Sequence, residues 1–93
     1  MALTFEWDPD KAQANLAKHC VGFLEAATVL GDSLSLTISD PGHSKGEQRF
    51  VSVGMSDRQR LLVVAHTEWG ERIRIISARR ATRREQRAYE QET

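Results

Sequence analysis

Apolar and polar positions alternate along most of this chain, and the period changes from segment to segment. Leu34, Leu36 and Ile38 are interleaved with Ser35, Thr37 and Ser39, the period-two pattern of a half-exposed strand. Arg49 to Met55 repeats it, with Val51, Val53 and Met55 on one face. Leu61-Leu62-Val63-Val64-Ala65 is continuously apolar, which predicts a central strand covered on both faces. Residues 72–79 alternate again, Arg72 and Arg74 on one face, Ile73, Ile75, Ser77 and Arg79 on the other. On that parity Arg79 continues a core-facing line to the rim of the core. Short turns at Ser56-Asp57-Arg58 and Glu68-Trp69-Gly70-Glu71 join the three strands into an antiparallel meander. Phe5-Glu6-Trp7 reads as a further short strand.

Two segments carry a helical period instead. Asp8 is a capping residue, Pro9 suits the first helical position and Asp10 the positive end of the dipole. The helix they open runs to about His19, with a thin apolar stripe of Ala12, Leu16 and Cys20. Phe23, Ala26, Ala27 and Leu30 adopt the i, i+3, i+4, i+7 spacing of a buried face, so a second helix spans about 22–30 until Gly31-Asp32 stops it. Thr82-Arg83-Arg84-Glu85 fits a capping box and opens a last helix over about 83–91. That helix is polar apart from Ala88 and Tyr89, and needs the sheet or a partner to persist. The order β-α-α-β-β-β-β-α predicts an α+β domain: a small antiparallel sheet, two N-terminal helices on one face, and a C-terminal helix.

Ninety-three residues make one domain, 1–93, with a modest core. The 40% apolar and 28% charged fractions belong to an ordinary globule. No apolar run approaches the roughly 18 residues of a membrane span, the N-terminus lacks the signature of a signal peptide, and a lone Cys20 allows no internal disulfide. These features predict a cytoplasmic protein. The net charge of zero conceals a division. Residues 1–48 hold three lysines against seven acids (−4), and residues 49–93 hold ten arginines against six acids (+4). Arginines 72, 74, 79, 80, 83 and 84 crowd one strand and the helix after it. Arginine presents a planar fork of donors suited to phosphate or carboxylate, so the expected partner is polyanionic: RNA or an acidic protein.

Metal and cofactor chemistry have little to build on. Cys20, His19, His43 and His66 show no ligand spacing, the glycines form no phosphate loop, and Gly46, Gly54 and Gly70 read as turn or bulge residues. Cys20 is expected to pack as a small apolar residue and His66 to be a satisfied sheet residue. His43-Ser44, Glu47 and Arg49 cluster at a loop-to-strand junction. Either His43 and Ser44 organise the turn while Glu47 pairs with Arg49, or His43 trades protons. Arg79 is either a phosphate clamp or half of a rim ion pair. Tyr89, four residues after Glu85 on one helical face, is an apolar anchor, a phenol in a site, or both. RNA transesterification needs a base for the 2′-hydroxyl, an acid for the 5′-oxygen and fixed charge for the phosphoryl oxygens. Arginines with a histidine, carboxylate or tyrosine supply these without a metal.

Several segments in order resemble one family. Phe5-Glu6-Trp7-Asp8 with Lys11, Asn15, Lys18-His19 and Val21-x-Phe23-x-Glu25-Ala26 resembles the opening of the BrnT-type toxins of bacterial type II toxin–antitoxin systems. Asp40, His43-Ser44, Glu47, Arg49, Gly54 and Ser56 match its middle. Arg60-Leu61-Leu62-Val63-Val64, Arg74-Ile75-Ile76-Ser77-Ala78-Arg79, Glu85 and Tyr89 match its end. The resemblance implies a RelE-like fold and a metal-independent endoribonuclease that blocks translation. It implies a BrnA-type ribbon-helix-helix antitoxin, contact with operator DNA only through that antitoxin, a toxin homodimer within the complex, and no membrane. It carries Arg79, Tyr89, His43 and Glu47 as catalytic candidates, and Lys18, Arg49 and Arg83, with Arg74 of the arginine strand, as RNA-binding candidates. The alternative is a degenerate toxin, a module that binds nucleic acid or antitoxin without cutting. Cys20 stands where the family usually has glycine, so the resemblance implies a positive-φ turn in which a cysteine is strained.

Overall fold

The computed structural model describes residues 3–32, 34–39 and 48–92. Their elements are β1 (Thr4–Glu6), α1 (Pro9–His19), α2 (Phe23–Val29), β2 (Leu36–Ser39), β3 (Arg49–Met55), β4 (Leu61–Trp69), β5 (Arg72–Arg80) and α3 (Arg83–Glu92). The strands form one sheet in the order β1-β5-β4-β3-β2. The expected antiparallel meander is present from β2 to β5. The sheet is nonetheless mixed, because β1 lies parallel to β5, Phe5 opposite Ile73. A three-residue strand with two helices before its next strand carries no local sign of its partner, so β1 alone does not reveal this pairing.

The core lies between the sheet and the first two helices. Val21, Phe23, Ala26 and Val29 pack against Leu62, Val64, Ile75 and Ala78, and Trp7 closes the cluster edge-on to Phe23, ring centroids 6.0 Å apart. β4 is longer than its apolar run and central, as that run requires, with Leu62, Val63 and Val64 all buried. Gly54 is not the turn or bulge residue expected. It sits within β3, where a Cβ would come 2.8 Å from the Ser35 Cβ and 3.0 Å from Val29 Cγ1, so only glycine lets α2 approach the sheet this closely. Gly70 does sit in a turn, the two-residue hairpin between β4 and β5, at φ +64°.

One helical expectation changes. Leu16 and Cys20 are exposed, so of the stripe on α1 only Ala12 packs against the core. The buried residue of the helix is Asn15. Its side-chain amide donates to the carbonyls of Val21 (2.9 Å) and Ala78 (2.8 Å), and its Oδ1 accepts the Ala78 N–H at 3.1 Å. Because β1 pairs only with residues 72–74, this side chain takes the place of a neighbouring strand further along the β5 edge. In the first turn of α2, buried Glu25 accepts from Ser56 Oγ (2.7 Å) and Arg60 Nε (2.9 Å), and Arg60 also donates to the Cys20 carbonyl at 3.1 Å. The guanidinium, set against the opposing cost of burial, holds the Glu25 carboxyl below its ordinary range.

Candidate nucleic-acid interface

Alternation places one row of side chains across four strands on the face opposite α1 and α2. Arg49 pairs with Thr67, Thr67 with Arg74, and Arg74 with Glu6. The two arginines rise from strands about 10 Å apart, with the buried Thr67 between them, so their guanidinium forks can converge above its hydroxyl. The next row holds Trp69 opposite Arg72. Trp69 is 75% exposed, an indole left in water beside arginines. Glu6, Thr67, Trp69, Arg72 and Arg74 line a hollow of about 170 Å³, and the Arg72 guanidinium lies 3.6 Å from the Glu6 carboxylate across its floor. Cations in pairs with a flat aromatic surface alongside are what a single-stranded sugar-phosphate chain requires.

Arg79 does not continue the line of Ile73 and Ile75. The register breaks between Ala65 and His66, and Ile76 has no partner on β4. This bulge inserts one residue and reverses the parity of every later residue in β5. Ala78 turns into the core, while Arg79, opposite Val63, turns to the face that carries the arginine row. There α3 meets it. Both guanidinium ends of Arg79 donate to Glu85, each at 2.8 Å, so the rim ion pair is formed. The same Glu85 accepts the Thr82 N–H at 2.8 Å, and Thr82 Oγ1 accepts the Glu85 N–H at 3.2 Å, which completes the expected capping box. Bonded to Arg79 foremost, the Glu85 carboxyl falls to about 2, and the Arg79 guanidinium rises above its ordinary value for the same reason.

Tyr89 is buried, and its hydroxyl donates to Asp32 Oδ2 at 3.0 Å. Asp32 also accepts the N–H groups of Met55 (2.9 Å) and Leu34 (3.0 Å), with the Met55 bond the main cause of its lowered carboxyl. Burial first, and then Asp32, raises the phenol above its ordinary value. Tyr89, Ala88 and Glu85 lean over Leu36, Ile38, Val51 and Val53, so α3 covers the β2–β3 side of the same face that bears the arginine row.

The structure thus sets Arg49 and Arg74 in one row, with Arg79 four residues further along the strands, about 13 Å, under α3, and Tyr89 on that helix. Arg83 is exposed in the first turn of α3. Lys18 is exposed in the last turn of α1, on the helical side of the sheet. His43 and Glu47, like Gly46, lie outside the described residues. His66 is fully buried. Its Nε2 lies 2.7 Å from Ser52 Oγ, which in turn meets Thr37 Oγ1 at 2.7 Å, and its ring stacks on Phe50. Among the described residues its Nδ1 has no hydrogen-bond partner, the Glu68 carboxylate lying at 3.4 Å, so it is less fully satisfied than expected, and burial lowers its pKa to about 4. Cys20 is no packing residue: it is an exposed C-cap. Among the described residues no three His, Cys, Asp or Glu side chains gather closely enough to hold a metal ion, and no helix is long and apolar enough to cross a membrane. Sequence reasoning misses Trp69 and Thr67. It places Trp69 in a turn, yet the short hairpin sets this residue on the last pair of β4, in phase with Thr67.

A family described as the ribonuclease toxin BrnT of type II toxin–antitoxin systems matches residues 7–85. The 1.1 Å crystal structure of the Brucella abortus ribonuclease toxin BrnT is similar in fold. It shares 24% identity, with a TM-score of 0.63 over 88% of this chain and all of that one. Among curated proteins none matches.

Proposed function

Because this chain belongs to the BrnT ribonuclease toxin family of type II toxin–antitoxin systems, we propose that it is an endoribonuclease that works without a metal, cutting RNA on the open sheet face. The row Arg49–Thr67–Arg74 beside the exposed Trp69 carries this reading. Arg49 and Arg74 hold the phosphate and offset the charge that builds on its oxygens, the Thr67 hydroxyl orients one of them, and Trp69 stacks a neighbouring base. His43 and Glu47 are the proposed proton carriers, abstracting from the 2′-hydroxyl and returning a proton to the 5′-oxygen. Arg79 acts from beneath α3 and Tyr89 from that helix, and Lys18 and Arg83 extend the basic surface. Cleavage blocks translation in the cytoplasm. A BrnA-type ribbon-helix-helix antitoxin neutralises the toxin, links it to operator DNA, and assembles with a toxin homodimer.

A second reading has one observation in its favour. Arg79 and Tyr89 are both committed to internal partners, Glu85 and Asp32, as in a module that binds RNA or antitoxin without cutting. Cleavage of single-stranded RNA by purified protein, in the presence of chelator, decides between them. Wild type is expected to cut with chelator present, and Arg49→Ala and Arg74→Ala to lose on the order of 10²-fold in rate. No cleavage by wild type, with binding retained, establishes the module. Equal cutting by all three proteins removes the arginine row from the site.

A further inference from the structure

The sheet-face hollow does not end at β1. β1 pairs with only three residues of β5 and then turns away at Trp7 towards α1. Asn15 recovers the β5 edge only at Ala78. Between these two points the edge stays open at the bulged Ile76, and a groove of about 410 Å³ forms there, lined among others by Glu6, Trp7, Asp8, Lys11, Arg74 and Ile76. That volume lies within the roughly 300–1,000 Å³ of small-molecule sites and exceeds the about 170 Å³ of the sheet-face hollow. Glu6 and Arg74 border both, so a chain lying along Trp69 and Arg74 passes directly into it.

The lining is divided by charge. Lys11, in the first turns of α1, is exposed and makes no ion pair among the described residues. Asp8 spends Oδ1 on the Asp10 N–H at 2.8 Å, which leaves its second oxygen to face a ligand. Glu6 meets Arg72 only at 3.6 Å, both side chains well solvated. The groove therefore offers cations and acceptor-only carboxylates together, beside Trp7 and Ile76. An acidic peptide would meet the carboxylates unfavourably, whereas a nucleotide carries an anion at one end and base donors at the other.

We propose that this groove is a nucleotide subsite, taking the residue next to the one held on the sheet face. The proposal rests on the RNA-binding reading above. Lys11 pairs with the phosphate, Arg74 marks the boundary between the two positions, and Glu6 and Asp8 accept hydrogen bonds from the base edge. Guanine, with N1–H and N2–H side by side, satisfies a carboxylate through two donors. Uracil presents two carbonyls around one N–H and repels it. The subsite thus selects guanine over uracil.

The test is fluorescence anisotropy with non-cleavable 2′-O-methyl oligonucleotides lengthened one nucleotide at a time. Wild type is expected to show a step of about tenfold in affinity when the added nucleotide reaches the groove, larger for guanosine than for uridine. Lys11→Ala removes the step, and Glu6→Gln erases the base preference. Both side chains are solvated enough for the variants to fold, and thermal melting verifies that. Arg49→Ala is the control for the underlying reading and lowers affinity at every length. If Arg49→Ala weakens all lengths while Lys11→Ala keeps the step, the subsite alone is wrong. If Arg49→Ala changes nothing at any length, the sheet-face reading fails and the subsite falls with it.

Discussion

Cys20 ends α1 with φ 59° and ψ 32°, the left-handed conformation in which a Cβ crowds the backbone at about 1 kcal/mol or more. It tolerates this because its N–H bonds to the Leu16 carbonyl at 2.9 Å and its own carbonyl is held by Arg60. Its side chain contributes little in return, being exposed. Cys20→Gly is therefore expected to stabilise the fold by up to about 1 kcal/mol, a rise in Tm of about 4–8 °C for a domain of this size, with nuclease activity unchanged. A melting curve decides it, and a lower Tm would mean that the turn is unstrained. The glycine expected here was legible because the resemblance aligned the position, and the backbone angle supplies the reason.

At the scale of one element, α3 shows how a helix with almost no apolar residues stays folded. Glu85 serves two structures at once, the capping box with Thr82 and the forked pair with Arg79, while Tyr89 anchors the other end on Asp32. Glutamine preserves the cap but not the charge. Glu85→Gln should cost under about 1 kcal/mol, since Arg79 is 42% exposed and water screens the pair, whereas Glu85→Ala should cost about 1–2 kcal/mol. Urea denaturation separates the two, and equal losses would assign all of the effect to the charge pair with Arg79. The depressed carboxyl, 4.5 to about 2, sets the direction of the pH dependence. The contribution is complete above pH 4.5 and is lost as pH falls towards 2.

Across the whole molecule, the sheet divides two kinds of chemistry. Its helical face is a sealed core with His66 inside it, and its other face carries the arginine row and α3. His66 titrates at about 4 rather than 6.5 because burial disfavours the imidazolium. The folded state therefore binds fewer protons than the unfolded chain between those values. Stability is full above pH 6.5 and is expected to decline by about 3 kcal/mol at most as pH falls to 4. The urea midpoint measured across that window checks this, with His66→Gln expected to flatten the slope. A flat wild-type profile would mean that the imidazole gains a proton without penalty, through Glu68 at 3.4 Å.

Residue order alone determined what depends on near neighbours. The period-two runs and the continuously apolar run became β2 to β5, the Asp8-Pro9 start and the Thr82–Glu85 box opened helices where they stand, and the placing of all ten arginines made the second half of the chain basic. Tertiary structure decided what depends on register between distant segments. One extra residue at Ile76 sent Arg79 away from the core line and towards Glu85, and only the pairing of β3, β4, β5 and β1 set Arg49, Thr67, Arg74 and Glu6 in a single row. Side-chain parity is local until a bulge reverses it, and a bulge is placed by two strands together, so neither strand's own sequence contains it.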